Sequence, residues 1–283
     1  MNTDAICERR MSVIHYLDAA GTAHRQVTAP PRIVCLVPSI TELLCDLELA
    51  EALVGRTGFC IHPRETLKKI PKVGGTKDVD LAAVRALAPT HVVVNVDENT
   101  RETADALRGF VPQVIVTHPL GPRDNPPLFR LLGGIFGREA EAERLCAAFD
   151  AALAAAAAAA VQTQRVLYLI WREPWMTVSR DTYISRMLGL YGWETWPATS
   201  AQRYPTLRLE DCRGVIDRVL LSSEPYPFRD KHLLEARRRL PRVPVDLIDG
   251  KMVSWYGSRA IAGLRYLADY VRRATAPAVL HGD

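Results

Sequence analysis

The stretch Gly137-Arg-Glu-Ala-Glu-Ala-Glu-Arg-Leu-Cys-Ala-Ala-Phe-Asp150, followed by Ala151 to Ala160 broken only by Leu153, decides the fold. Alanine has the best intrinsic helix propensity, and no Gly or Pro interrupts the run after Gly137. Glu139, Glu141 and Glu143 stand where the positive end of a helix dipole favours carboxylates. The pattern predicts one long helix over 137–164, and about 25 residues of it would span on the order of 38 Å. Leu145, Phe149 and Leu153 fall at i, i+4 and i+8, a stripe for packing, while the alanines leave a thin rod that neighbours can approach closely. A low-complexity alanine linker is the other reading of the same residues. The flanks favour a strut, because each reads as an α/β lobe of its own.

On the N-terminal side, residues 11–30 alternate weakly about a Gly21 turn and predict a hairpin within an extension over 1–30. Arg32-Ile-Val-Cys-Leu-Val37 is a continuous apolar run of strand length, as in a parallel strand buried on both faces. Pro38-Ser39-Ile-Thr41-Glu42 then opens a helix. Further strands are expected at Leu53–Gly55, His91–Val96 and Pro112–Thr117, with helices from Asp80 to Leu87, Thr103 to Leu107 and Pro126 to Leu132, the last stopping at Gly133-Gly134. These make a first lobe over 31–136. After the strut the grammar restarts: strands at Arg165–Ile170, Arg218–Ser222 and Pro244–Ile248, helices at Tyr183–Leu190, near Leu209–Val215 and at Ser258–Val271, in a second lobe over 165–275 with a tail over 276–283. The expected fold class is α/β: two Rossmann-like lobes with central parallel sheets, joined by a single long helix, with a ligand cleft between them. In such sheets ligands sit beyond the carboxyl ends of the strands, so the loops there should face each other across the cleft.

The bulk numbers fit this. The 283 residues suffice for two cores, and 48% hydrophobic with 24% charged is ordinary globular composition. A net charge of +4, without a basic stripe, argues against nucleic acid. No apolar run is long enough for a membrane span. The N-terminus shows no secretory signal and six dispersed cysteines show no CxxC pair, so the chain as written reads as cytoplasmic with reduced thiols.

The loops after the strands supply the candidate site: Ser39; Phe59, Cys60 and His62; Thr76 and Lys77; Glu98 and Asn99; Trp171, Arg172, Glu173 and Trp175; Glu224 and Tyr226; Trp255, Tyr256 and Arg259. Broad aromatic faces with a few polar anchors suit a flat, bulky ligand such as a corrinoid, porphyrin or aryl siderophore complex. Trp171 and Trp175 would equally serve to cap the second core, and Arg172 and Glu173 to pair with each other. Cys60-x-His62 places a thiolate and an imidazole on one loop, both suited to a borderline metal, although two residues do not make a site. Gly74-Gly75-Thr76-Lys77 lacks phosphate-loop spacing, and no nucleophile motif or acid/base pair stands out, so no catalytic residue is assigned.

The chain resembles the helical-backbone (class III) periplasmic binding proteins that serve ABC transporters for cobalamin, ferric siderophores and haem, and is most similar to the cobalamin-binding branch. The resemblance covers about Pro31 to Arg273. It is carried by Pro38-Ser39-x-Thr41-Glu42, by the block from Val73 to Val84, by the long helix, and by Trp171-Arg-Glu-Pro-Trp175, Ser222-Ser-Glu-Pro-Tyr226 and Trp255-Tyr-Gly-Ser-Arg259. It implies a monomeric, non-enzymatic binding protein with no intrinsic cofactor, whose preformed cleft closes slightly on a metal chelate: a corrinoid first, then a ferric siderophore or haem. Arg172, Lys77 and Arg259 would anchor the ligand's polar groups, and Trp171, Trp175, Trp255 and Tyr256 would cover its faces. The family docks on its permease through one exposed Glu per lobe; the matching positions are Glu210 and, in the first lobe, Ala82, with Asp78 and Asp80 nearby. The family's aromatic clamp positions fall on Thr76 and near Met252. Retention of the family role with a misassigned start would make the protein periplasmic; the rival is a cytosolic metallochaperone or chelatase-like protein. Cys60 and His62 discriminate: facing the cleft near Glu98 or His118 they would favour metal handling, buried in the first lobe they would favour simple binding.

Overall fold

The computed structural model describes residues 15–159 and 162–275. The first lobe opens with a hairpin, β1 (Tyr16–Leu17) and β2 (Ala23–His24), turning at Gly21, whose φ of 77° suits glycine. It continues through β3 (Ile33–Cys35), α1 (Pro38–Asp46), β4 (Leu53–Arg56), α2 (Arg64–Leu67), α3 (Leu81–Ala86), β5 (His91–Asn95), α4 (Arg101–Arg108), β6 (Gln113–Thr117) and α5 (Asn125–Phe136). The four strands of its central sheet run parallel in the order β4-β3-β5-β6. Caps explain several starts: the Asp80 carboxylate accepts from Ala83 N at 2.9 Å and the Thr100 hydroxyl from Thr103 N at 3.1 Å, each satisfying an orphan donor of the first turn.

The joining helix, α6 (Glu139–Ala158), is a strut rather than a loose alanine linker, and is shorter than 137–164 at both ends. It packs against α5 and the closing helix of the chain. The buried stripe is not Leu145, Phe149 and Leu153 but Ala142, Cys146, Phe149, Ala152 and Ala156, the two leucines being only partly covered. Small side chains bring the neighbouring backbones close, which inverts the usual logic of a leucine stripe. Gly133 and Gly134 likewise do not end α5; they lie inside it. A Cβ on Gly133 would come within 2.6 Å of the Ala142 methyl, and one on Gly134 would collide with the Tyr16 ring, so both glycines serve close approach. The helix ends at Gly137, in the left-handed conformation with φ of 65°.

The second lobe comprises β7 (Gln164–Trp171), β8 (Met176–Thr177), α7 (Tyr183–Gly189), β9 (Trp193–Thr195), β10 (Arg218–Ser222), α8 (Asp230–Arg239), β11 (Val245–Ile248), α9 (Gly250–Ser254) and α10 (Arg259–Thr275). Strands β11, β10 and β7 run parallel in that order, and the far edge of β7 pairs with β9 in parallel and with β8 antiparallel. The helix expected near Leu209–Val215 is only a single 3-10 turn, Leu209–Cys212.

Alternation along the central strands divides the interior. Ile33 and Cys35 of β3, Val93 of β5, and Val166, Tyr168 and Ile170 of β7 enter one core that runs through α5, α6 and α10 and joins the lobes. Val34, Val92 and Val94 face a separate first-lobe core, and Leu167 and Leu169 a separate second-lobe core. This parity decides where the residues at the strand ends point.

Candidate functional site: an acidic, aromatic cavity between the lobes

The carboxyl ends of the two sheets meet at a cavity of about 230 Å³. The first lobe contributes Pro38 and Ser39 from the start of α1, Asp97 and Glu98 after β5, and Pro119 after β6. The second contributes Thr182, Tyr183 and Ile184 at the start of α7, Tyr204, Glu224 after β10, and Ser254, Trp255 and Tyr256 between α9 and α10.

Three consecutive residues organise its chemistry. The Tyr256 hydroxyl donates to Glu98 Oε1 at 2.6 Å, bridging the lobes; Trp255 Nε1 and the Ser254 hydroxyl donate to Glu224 Oε1 at 2.7 and 3.1 Å. One carboxylate from each lobe is thus held by three consecutive residues. Burial raises the Glu98 pKa to about 7 against the pull of the Tyr256 hydrogen bond and the Lys77 charge, and Glu224 is also raised by burial. Ser39, 2% exposed, carries a hydroxyl with no hydrogen-bond partner. Arg203 spans the lobes to pair with Asp97, which also lies 3.6 Å from His118 Nε2. No Lys or Arg lines the cavity.

Of the sequence candidates, Ser39, Glu98, Glu224, Trp255 and Tyr256 line the cavity together; the others do not. Arg172 is engaged by Glu235 at 2.8 Å and by Glu173, outside the cavity. Lys77 donates to the Asp97 carbonyl at 2.9 Å, and Arg259 makes a two-pronged bond to Glu42 at 2.6 and 2.7 Å. Arg172 and Arg259 are thus taken up by carboxylates, whereas Lys77 forms no ion pair among the described residues and its charge acts on Glu98. Asn99 is buried and ties the loop, accepting from Asn95 N and donating to the Thr76 carbonyl, both at 2.9 Å. Phe59, 62% exposed, lies on the first-lobe surface away from the cavity lining. Trp175 stacks on Phe228 in the second-lobe core, with ring centroids 5.9 Å apart, and Trp171 meets Tyr226 edge-on at 5.5 Å on that same side. Trp171 follows the parity of Leu167 and Leu169, and Trp175, Tyr226 and Phe228 pack with those leucines in the second-lobe core.

The metal reading of Cys60 and His62 fails on geometry. Cys60 is sealed in the core, accepting from the Thr41 hydroxyl at 3.0 Å and lying 3.2 Å from that of Thr57, and burial raises its pKa, which disfavours the thiolate a metal needs. His62 meets Trp255 edge-on at 5.7 Å and does not line the cavity. Among the described residues, no group of three or more His, Cys, Asp or Glu side chains is arranged to hold a metal. Glu210 stays on the surface, 3.2 Å from Arg239, and Ala82 is exposed at its first-lobe counterpart. Pro119, Thr182, Tyr183, Ile184 and Tyr204 were missed as lining residues. Thr182-Tyr183 carried a usable signal, an N-cap at a strand-to-helix junction; the irregular loop holding Tyr204 carried none.

Solved structures share this architecture. The periplasmic vitamin B12 binding protein BtuF of Vibrio cholerae superposes with a TM-score of 0.75 at 17% identity, over 87% of this chain and 98% of that one. The periplasmic heme-binding protein RhuT of Roseiflexus sp. RS-1, in apo form, gives 0.75 at 23% identity over 88% and 100%, and the periplasmic heme-binding protein HutB of Vibrio cholerae 0.73 at 20% over 86% and 99%. A comparison with curated proteins by sequence finds no match. No helix among the described residues is long and apolar enough to cross a membrane. The family described as periplasmic binding protein matches residues 33–212, through the first lobe, the strut and half of the second lobe. With both sheets, the joining helix and the interlobe cavity in place, the chain belongs to the periplasmic binding protein family, a family of solute-binding proteins rather than enzymes.

Proposed function

We propose that this protein is the solute-binding component of an ABC uptake system, acting in the periplasm with a permease as partner, and that its cavity takes a metal chelate of the corrinoid type ahead of haem or a ferric siderophore. The observation that carries the order of ligands is the cavity's charge. Glu98 and Glu224 offer acceptors beside the Trp255 and Tyr256 rings, with no cation among the lining residues. The neutral carboxamides on a corrin periphery donate hydrogen bonds to such acceptors. The propionates of haem and the carboxylates of many siderophores would meet like charge with no Arg or Lys in the lining, Arg203 being already paired with Asp97 and Lys77 held on the Asp97 carbonyl outside it.

At about 230 Å³ the cavity is below the roughly 300–1,000 Å³ of pockets that enclose a ligand. A macrocycle enters only with the lobes further apart, and the Tyr256–Glu98 and Arg203–Asp97 bridges are the contacts it would replace. The test is a tryptophan-fluorescence titration of the purified protein with cyanocobalamin, cobinamide, haemin and ferric siderophores, with Trp255→Ala as control. Saturable quenching by the corrinoids at micromolar concentration or below, lost in Trp255→Ala, is expected. Tighter binding of haemin or an anionic siderophore would overturn the charge argument, and no response to any of them would overturn the chelate reading.

A further inference from the structure

A second pocket, of about 480 Å³, lies at the edge of the first sheet and shares no lining residue with the interlobe cavity. Its charge is opposite. Arg56, Arg64, Lys68, Lys72 and, from the second lobe, Lys251 line it together with His62, and no carboxylate does. Lys68 is neutralised by Glu65 at 2.7 Å, but among the described residues Arg56, Arg64, Lys72 and Lys251 form no ion pair.

Arg56 makes this more than a solvated basic face. It is 7% exposed, at the carboxyl end of β4, where parallel sheets present ligands. Its Nε donates to the Leu67 carbonyl and its Nη1 to those of Thr57 and Cys60, each at 3.0 Å, which fixes the guanidinium plane. Nη2 has no protein partner among the described residues, and the charge has no carboxylate. A buried cation is costly unless an anion or hydrogen-bonding shell compensates it, and a guanidinium with a free edge is shaped for two oxygens of one anion. His62 also lines the pocket, and its Nε2 is enclosed and has no hydrogen-bond partner.

We propose that this pocket binds a soluble oxyanion of the phosphate class, held on the Arg56 guanidinium and closed over by Lys72 from the first lobe and Lys251 from the second. Because the two lysines come from different lobes, the anion also ties the lobes at a point outside the chelate cavity.

The experiment is calorimetric titration of the full chain with inorganic phosphate and pyrophosphate at low ionic strength. One saturable site is expected, weakened at least tenfold in Lys72→Glu and in Lys251→Glu. Lys69→Glu changes the net charge equally on the adjacent surface but does not line the pocket, and it should leave affinity within twofold. Arg56→Gln should abolish binding; since that variant alters a buried group, its fold is checked by circular dichroism, and the two lysine variants decide the matter if it does not fold. Absence of saturable binding to either anion, or equal weakening by Lys69→Glu, overturns the proposal.

Discussion

Two tryptophan-bearing loops look interchangeable in the sequence and are not. Trp171 to Trp175 follows β7 and Trp255 to Arg259 precedes α10; both mix aromatic rings with an arginine and stand near the carboxyl end of the second sheet. In the first, Trp171 continues the outward parity of Leu167 and Leu169, Trp175 is 8% exposed against Phe228, and Arg172 is held by Glu235. In the second, Trp255 and Tyr256 turn toward the first lobe and each grips a carboxylate in the cavity. The difference teaches that an aromatic loop at the right end of a sheet lines a cleft only if its strand parity aims it there.

The sharpest way to break that comparison is to truncate one ring from each loop. Trp175→Ala removes a stacked core side chain and should cost about 3–5 kcal/mol in urea unfolding while leaving the cavity's lining in place. Trp255→Ala should cost clearly less, its ring being half-buried, yet remove cavity-dependent ligand binding. If the two variants lost similar stability, the division between packing loop and lining loop would be wrong.

A smaller effect comes from the carboxylate that Tyr256 holds. Burial lifts the Glu98 pKa from 4.5 to about 7, with Glu224 and Asp97 adding to the rise and Tyr256 and Lys77 opposing it. Below pH 4.5 the group is protonated in both folded and unfolded chains and has no effect. Between pH 4.5 and 7 the unfolded chain ionises first, so the native state loses stability as pH rises, by on the order of 2–3 kcal/mol once both forms are charged. Urea unfolding at pH 4.5 and pH 8 should show that loss, and Glu98→Gln should flatten it. A profile unchanged by Glu98→Gln would mean that the carboxylate is better solvated than the cavity geometry implies.

The fold was legible because its signals are local and repeated. Continuous apolar runs such as Ile33–Cys35 and His91–Asn95 announce strands buried on both faces, and Asp80 announces a helix, whereas the helix capped by Thr100 starts two residues before the expected Thr103. What misled was glycine: Gly133 and Gly134 look like a helix stop until Ala142 and Tyr16 are known to press on them, a contact no local pattern reveals. The site was legible only in part for the same reason. Strand ends locate Ser39, Glu98, Glu224 and Tyr256, but whether an arginine is free or already paired depends on residues far away in the chain. Glu42 takes Arg259 and Glu235 takes Arg172, 217 and 63 positions distant, and those pairings remove two expected cationic anchors from the cleft.

The smallest expected effect is the most pointed test of parity. Trp171 is 41% exposed, touches Tyr226 edge to face, and does not line the interlobe cavity. Loss of such an aromatic pair costs about 1 kcal/mol, so Trp171→Ala should shift urea unfolding slightly. It should also leave chelate affinity unchanged within twofold, although its composition alone would rank it beside Trp255. Were Trp171→Ala to weaken ligand binding tenfold, the ligand would have to extend around the edge of β7 onto the outer face of the second lobe, and the interlobe cavity would be only part of the site.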